Sequence, residues 1–222
     1  MAPVEGPRTA RAGDAPREPT RRLFFALWPD QAMRRAMAEA TRDVLRARPG
    51  SDAGCGGRPV PAESLHVTLA FLGSVPERKL QPLAGLARGA AQTLRSALAG
   101  EDAPGSPIEL TFDHLEYWRA AQLLCALPAT APARTVALAR GLQALLAASG
   151  FAPDLKPFRP HVTVARKVSR PSPLTKMHPV VWRFAELALI ESRTLPEGAL
   201  YSVIEAYPLC AGRYSANNSK TP

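Results

Sequence analysis

Cysteine is scarce in this chain. Its 222 residues hold three, Cys55, Cys125 and Cys210. An odd count without a Cys-x-x-Cys pair argues against a disulfide framework and against a zinc knuckle. Cys125 lies in Leu123-Leu124-Cys125-Ala126-Leu127, the setting of a buried small hydrophobe. There are four histidines, His66, His114, His161 and His178. None stands at metal-ligand spacing from another His, Cys or carboxylate, which disfavours a zinc hydrolase. No apolar run approaches the length of a membrane span. Residues 1–20 lack the apolar centre of a secretory signal, and Glu5, Asp14, Glu18 and the prolines argue against a transit peptide. The expectation is a cytoplasmic protein with no membrane partner, a disordered tail at 1–20, an ordered domain over 21–209 and a second tail at 210–222.

What is present is apolar and basic. Hydrophobic residues make up 46% and charged residues 21%, enough for a substantial core in one domain or one domain of two lobes. The net charge is +9, which favours polyanionic partners such as RNA and phosphorylated metabolites. Twenty-three of the 28 basic residues are arginine. They are spread along the chain rather than gathered in one block. The charge is therefore a weak pointer by itself.

The sharper signal is a motif that occurs twice. His66-Val67-Thr68-Leu69 and His161-Val162-Thr163-Val164 both read His-x-Thr-x with apolar residues at x. A strand has a period of two, so His66 and Thr68 share one face while Leu65, Val67 and Leu69 take the other. The second copy repeats the arrangement. Each strand buries an aliphatic side and presents an imidazole and a hydroxyl on its polar side. Two such strands set side by side bring two histidines and two threonines to one groove.

The rest of the chain reads as mixed strands and helices without the regular alternation of a doubly wound fold. Leu23 to Trp28 is an apolar strand. Pro29-Asp30 opens a helix with Met33, Met37, Val44 and Leu45 on its buried face, and Arg34, Arg35, Arg42 and Arg46 read as its solvated face. Pro49 to Pro61 is a loop, and the first motif strand runs over 65–72 and stops at Gly73. A helix is predicted over 77–98, followed by a loop over 100–107. Strands follow near 108–114 and 121–127, with their connection at 117–119. A third helix spans about 131–149, with Val136, Leu138, Leu142, Leu145 and Leu146 apolar and Gly150 at its end. After the second motif come a loop over 169–179 and strands near 181–191 and 201–208. His114 and His178 read as surface or loop histidines. Trp28, Trp118 and Trp182 read as core or lobe-interface packing, and Phe158 and Arg159 as core or rim. The doubled motif suggests duplication of a strand–helix–strand unit.

Paired imidazoles suit phosphodiester displacement. Each titrates near neutrality, at roughly 6.5, so one ring accepts a proton while the other donates one. The Thr68 and Thr163 hydroxyls are placed to donate hydrogen bonds to non-bridging phosphate oxygens, and no metal or other cofactor is required. Arg166 is a candidate phosphate clamp. It comes five residues after His161, so strict alternation turns it to the wrong face. Local twist at the strand end is needed to bring it to the groove rim.

In context, the two motifs resemble those of the 2H phosphoesterase superfamily, and more closely the bacterial RNA 2′,3′-cyclic phosphodiesterases historically called 2′-5′ RNA ligases (LigT-like proteins). The resemblance is carried by Arg22-Leu23-Phe24-Phe25-Ala26-Leu27-Trp28-Pro29, by Leu65-His66-Val67-Thr68-Leu69-Ala70-Phe71-Leu72-Gly73, by Pro160-His161-Val162-Thr163-Val164-Ala165-Arg166, and by Glu191-Ser192 with Tyr201. It implies a bilobal α+β fold, with two antiparallel sheets lining a central cleft, helices outside and pseudo-two-fold symmetry. It also implies hydrolysis of RNA 2′,3′-cyclic phosphate termini to 2′-phosphomonoesters. His66 is then the proton donor and His161 the proton acceptor, with Thr68, Thr163 and Arg166 on the phosphate. The motifs themselves are symmetric and leave the two histidine roles open. The expected partners are RNA or nucleotides with 2′,3′-cyclic phosphate ends, and the expected state is a monomer. Reversible 2′-5′ RNA ligation and a non-catalytic RNA- or nucleotide-binding module are the rival readings.

Overall fold

Strand β1 (Thr20–Leu27) is apolar at every position from Leu23 to Leu27 because both of its faces are covered. Leu23, Phe25 and Leu27 enter the main core, while Phe24 and Ala26 lie on the opposite face with Ala188 and Ile190. The computed structural model describes residues 18–46, 56–97, 107–154, 157–169, 175–196 and 198–209. Residues 1–17 of the expected tail 1–20, the expected tail 210–222, much of the predicted loops, Cys55 and Cys210 lie outside the described residues. β1 starts at Thr20, and the Pro19 carbonyl accepts a hydrogen bond from Glu77 N–H at 3.0 Å.

After β1 the chain forms α1 (Gln31–Leu45), β2 (Arg58–Pro59), β3 (Val67–Pro76), α2 (Leu80–Ala97), β4 (Ile108–Trp118), β5 (Leu123–Leu127) and α3 (Ala133–Ala148). β6 (Val162–Arg166), β7 (Thr175–Phe184), β8 (Glu186–Leu195) and β9 (Gly198–Pro208) follow. The Asp30 carboxylate caps α1 by accepting from Met33 N–H at 2.8 Å. Gly150, at φ +76°, ends α3 in the left-handed conformation that a glycine adopts without strain.

The strands form two antiparallel sheets, ordered β3-β1-β8-β9 and β2-β6-β5-β4-β7. The order of the first corresponds to β6-β5-β4-β7 of the second, with a motif strand first in each, in keeping with a pseudo-two-fold relation. Helices are exchanged between the halves. α1 leaves the first sheet and packs on β7 and β6 of the second. α3 leaves the second sheet and packs on β3 of the first, with α2 between α3 and β9. One core therefore spans both lobes. Trp182, fully buried on β7, donates its indole N–H to the Met33 carbonyl of α1 at 2.8 Å and ties that exchange together.

Five expectations change. The loop predicted over 49–61 holds the two-residue strand β2, paired with β6. The run predicted as one strand over 181–191 divides at Ala185, where the chain crosses from the second sheet to the first; both sides of the crossing are buried, so the apolar pattern does not break there. The predicted loop over 169–179 gives way to strand at Thr175. Pro179 fits because β7 is an edge strand and its register slips between Lys176 and Val180. The β4–β5 connection is at Arg119–Ala121 rather than 117–119, turned by Gln122 at φ 51°. β3 continues through Gly73 to Pro76, with Gly73 at φ +67° beside a bulge.

Both motif strands carry an extra residue directly after the threonine. In β3, Thr68 pairs with Ala26 and Ala70 with Phe25, leaving Leu69 unmatched. In β6, Thr163 pairs with Cys125 and Ala165 with Leu124, leaving Val164 unmatched. Such a bulge resets the alternation of faces. Leu69 and Ala70 are both buried, as are Val164 and Ala165. The carbonyls of the two extra residues have dedicated donors. Val164 accepts from Val60 N–H at 2.9 Å, and Leu69 accepts from the Gln143 side-chain amide of α3 at 3.0 Å. Gln143→Met, which keeps bulk and removes the donor, is expected to cost about 1–3 kcal/mol. The readout is a lower urea midpoint at unchanged m-value; an unchanged midpoint would show that the bulge does not depend on this bond.

Candidate active site

The bulges decide which side chains meet. Each returns the residue three after the threonine to the threonine's own face. Thr68 and Phe71 thus share one face of β3, and Thr163 and Arg166 one face of β6, with His66 and His161 each one residue ahead of its strand. Arg166 reaches the groove through an inserted residue rather than through twist. His66, Thr68 and Arg166 line a common cavity of about 450 Å³. Thr163 is half-buried, with its hydroxyl 4.0 Å from the buried Cys125 sulfur.

The two imidazoles are held in the same way. His66 Nδ1 is 2.7 Å from the Ser64 carbonyl, and His161 Nδ1 is 2.8 Å from the Arg159 carbonyl. A carbonyl only accepts, so Nδ1 carries the hydrogen in both rings and Nε2 is the site that gains or loses a proton. Each anchor comes from the residue two before the histidine. The approach to each strand therefore sets the tautomer of its ring.

The surroundings differ. His66 stands among three aromatic rings, with centroid distances of 4.9 Å to Phe24, 5.6 Å to Trp28 and 5.1 Å to Tyr201. Burial pushes its pKa down from 6.5 to about 4 against the pull of the Ser64 carbonyl, and positive charge on Arg166, His161 and Arg34 adds to the depression. His161 packs on Trp118 at 4.4 Å. Its pKa is also lowered, by burial first and by the Arg159 charge, with the Arg159 carbonyl opposing. Arg159 itself is tied to Glu116 through two nitrogen–oxygen contacts, at 2.7 and 3.2 Å.

Several residues read differently in three dimensions. Arg34 does not belong to a solvated helix face. It is half-buried, with its guanidinium 4.6 Å from the Trp28 ring, and among the described residues its Nε and Nη2 have no hydrogen-bond partner. Arg35, Arg42 and Arg46 are exposed as expected. Trp182 is core, but Trp28 and Trp118 are the rings against which the two histidines pack. His114 and His178 lie in strands, the first 2.7 Å from the Asp113 carboxylate and the second exposed. Phe158 packs on the core and Arg159 lies at the rim. The sequence reading did not single out Arg22, Phe24, Phe71 or Tyr201 as lining the cavity. For Arg22 and Phe24 the signal was their shared parity with Ala26 on β1. Among the described residues no three His, Cys, Asp or Glu side chains converge as a metal-ligand set, and no helix is long and apolar enough to cross a membrane.

Of the second motif only Arg166 lines the cavity with His66 and Thr68; His161 and Thr163 are not among its lining residues. Two antiparallel sheets that exchange their helices, each carrying one His-x-Thr motif, define a 2H phosphoesterase fold. A profile of the 2′-5′ RNA ligase superfamily matches residues 29–194, and the chain belongs to that superfamily. It is similar to an RNA 2′,3′-cyclic phosphodiesterase of Thermus thermophilus, with 30% identity covering 90% of this chain and 96% of the relative. An RNA 2′,3′-cyclic phosphodiesterase of Escherichia coli is 32% identical, covering 67% of this chain and 73% of the relative. Among solved structures, E. coli LigT complexed with 3′-AMP matches with a TM-score of 0.70 and 25% identity, over 86% of this chain and 99% of that one.

The aromatic enclosure has a measurable consequence. Because the folded-state pKa of His66 lies below the unfolded value, the unfolded chain binds the extra proton first. This contribution to stability is complete above about pH 6.5 and is lost as pH falls toward 4. Trp28→Ala opens the ring to water and is expected to move the His66 titration, followed by the NMR shift of its ring protons, upward toward 6.5. A titration unmoved by that change would take the depression away from the aromatic wall.

Proposed function

We propose that this chain hydrolyses RNA 2′,3′-cyclic phosphate ends to 2′-phosphomonoesters through a metal-independent, two-histidine acid–base mechanism. The observation that carries the reading is the matched pair of Nδ1 anchors, which leaves Nε2 of each ring to exchange a proton, together with the influence of His161 charge on His66. The names of the similar proteins from T. thermophilus and E. coli support the substrate class.

In the proposed reaction His161 Nε2 takes a proton from water as its oxygen bonds to phosphorus. The bond from phosphorus to O3′ breaks, and protonated His66 delivers its Nε2 proton to the departing oxygen. Thr68, Thr163 and Arg166 hold the non-bridging oxygens, whose charge is concentrated in the transition state. The products are a 2′-phosphomonoester and a free 3′-hydroxyl; solvent exchange returns the two rings to their starting protonation.

Burial leaves both rings poor proton carriers before substrate binds. An anionic phosphate offsets the Arg166 charge and favours the imidazolium, so substrate binding itself loads the acid. Both free-state pKa values lie below 6.5. The singly protonated pair is thus most populated on the acid side of that value. The profile of kcat/KM is expected to be bell-shaped with its maximum below pH 6.5, and the alkaline limb of kcat to lie at higher pH than that of kcat/KM. A flat profile from pH 5 to 8 would remove titrating imidazoles from the rate-limiting step.

His66→Ala and His161→Ala are each expected to lower turnover by about 10²–10⁴-fold with the fold intact by circular dichroism. The substrate test is a short RNA ending in a 2′,3′-cyclic phosphate, incubated in EDTA and followed by ³¹P NMR. A 2′-monophosphate supports the reaction as written. A 3′-monophosphate reverses the substrate orientation. Joined RNA in the presence of a 5′-hydroxyl strand favours 2′-5′ ligation, and unchanged substrate with retained binding favours a binding module.

A further inference from the structure

The cavity beside the histidines is lopsided. It runs from His66 along the first sheet toward the β8–β9 hairpin, and among the described residues Arg166 is its one contribution from the second sheet. Its far end is formed by Arg22, Ser192 and Thr194.

Arg22 sits on the cleft face of β1, two residues before Phe24. Leu23 pairs with Glu191, so Arg22 and Ser192 stand side by side one step further on; Ser192 pairs with Tyr201, and Thr194 with Ala199. The Arg22 guanidinium lies 4.7 Å from the Phe71 ring. A guanidinium on an aromatic face keeps its N–H edges free for a bidentate anion. Among the described residues no carboxylate pairs with it. Its neighbour Arg21, turned to the other face, pairs with Glu77 at 3.0 Å and Glu191 at 3.7 Å. Two adjacent arginines thus have opposite fates: one is neutralised, and the other is left open in a concave site beside two hydroxyls.

The spacing fits a nucleotide. Arg22 lies four residue steps along β1 from Ala26, the partner of Thr68 at the proposed reacting phosphate. At about 3.3 Å per residue their Cα atoms are roughly 13 Å apart. The arginine side chain shortens that span to about the room one nucleoside occupies, with Phe24, Phe71 and Tyr201 as its wall.

We infer that Arg22, Ser192 and Thr194 form a second phosphate subsite, which takes the 5′-phosphate of the terminal nucleotide whose 2′,3′-cyclic phosphate lies between His66 and His161. The inference rests on the proposed phosphodiesterase reading. It specifies the substrate as a 5′-phosphorylated or internally linked end rather than a free nucleoside cyclic phosphate. Arg22 acts here through binding, at a distance from the reacting bonds.

The test compares kcat/KM for adenosine 2′,3′-cyclic phosphate with that for the same compound bearing a 5′-phosphate. Wild type is expected to favour the 5′-phosphorylated compound by about tenfold or more, the equivalent of roughly 1.4 kcal/mol. Arg22→Gln is expected to bring the ratio close to one, Arg22→Lys to keep part of it, and Arg21→Gln, which removes the same formal charge outside the cleft, to leave it as in wild type. A ratio near one in wild type, or a preference that survives Arg22→Gln, overturns the subsite. So does an equal fall in Arg21→Gln, which would reduce the effect to general charge. If folded wild type turns over neither compound, the phosphodiesterase reading fails and the subsite fails with it. Equal turnover of both removes the subsite alone.

Discussion

One inserted residue in each motif strand determines what faces the cleft. A regular strand beginning at His161 places Thr163 on the same face and turns Arg166 toward the core. The extra residue at Val164 restores Arg166 to the groove, and the one at Leu69 does the same for Phe71. An insertion frees ladder groups that must find partners or leave the strand destabilised. Here Val60 and Gln143 supply the donors. Gln143 belongs to α3, which follows a strand of the opposite sheet. The bulge in one lobe is thus held by an element that arises in the other. The helix exchange and the geometry of the site are one constraint.

The lobes repeat the motif but not its environment. Phe71 and Arg166 occupy equivalent places, so only one lobe supplies a cation at that position. His66 is enclosed by Phe24, Trp28 and Tyr201, with Arg34 behind Trp28, whereas His161 meets Trp118 and lies near the Arg159–Glu116 pair. The symmetric motif leaves the division of labour between acid and base open; the asymmetric walls bias it. In the free protein the stronger enclosure makes His66 the poorer holder of a proton. A donor role for His66 therefore depends on negative charge arriving with the substrate.

Local chemistry was legible in the sequence. The doubled motif, the Asp30 cap, the buried Leu138, Leu142 and Leu146 of α3 and the Gly150 terminus all follow from short-range rules and stand where those rules put them, while Val136 and Leu145 are only partly buried. What depends on the partner strand was not legible. The bulges after Thr68 and Thr163 exist only as register against β1 and β5. The break at Ala185 has no polar signal, because Trp182 and Phe184 enter the core from one sheet and Leu187 and Leu189 from the other. Trp28 and Trp118 have the composition of core residues and are half-buried because the cleft replaces protein on one side. Arg34 follows the solvated pattern of its helix, and its burial comes from Trp28, just ahead of the helix. The cleft residues of β1 were in principle readable from parity, yet a strand buried on both faces hides its alternation.

Charge shows why placement outweighs sum. The +9 of the chain acts over a Debye length of about 8 Å at physiological salt, which screens most surface arginines from the cleft. Arg21, Arg88, Arg159 and Arg183 are each paired with a carboxylate. Arg22 and Arg166 line the cavity itself, within reach of an anion that enters it. A phosphate entering that space meets two cations whose positions are set by strand parity, one kept in line by β1 and the other restored by a bulge. The same positive field that recruits the anion disfavours protonated His66 in its absence. Recognition and proton loading are therefore coupled: the charge that draws the phosphate in is the charge that the phosphate neutralises, and that neutralisation favours the proton on the imidazole.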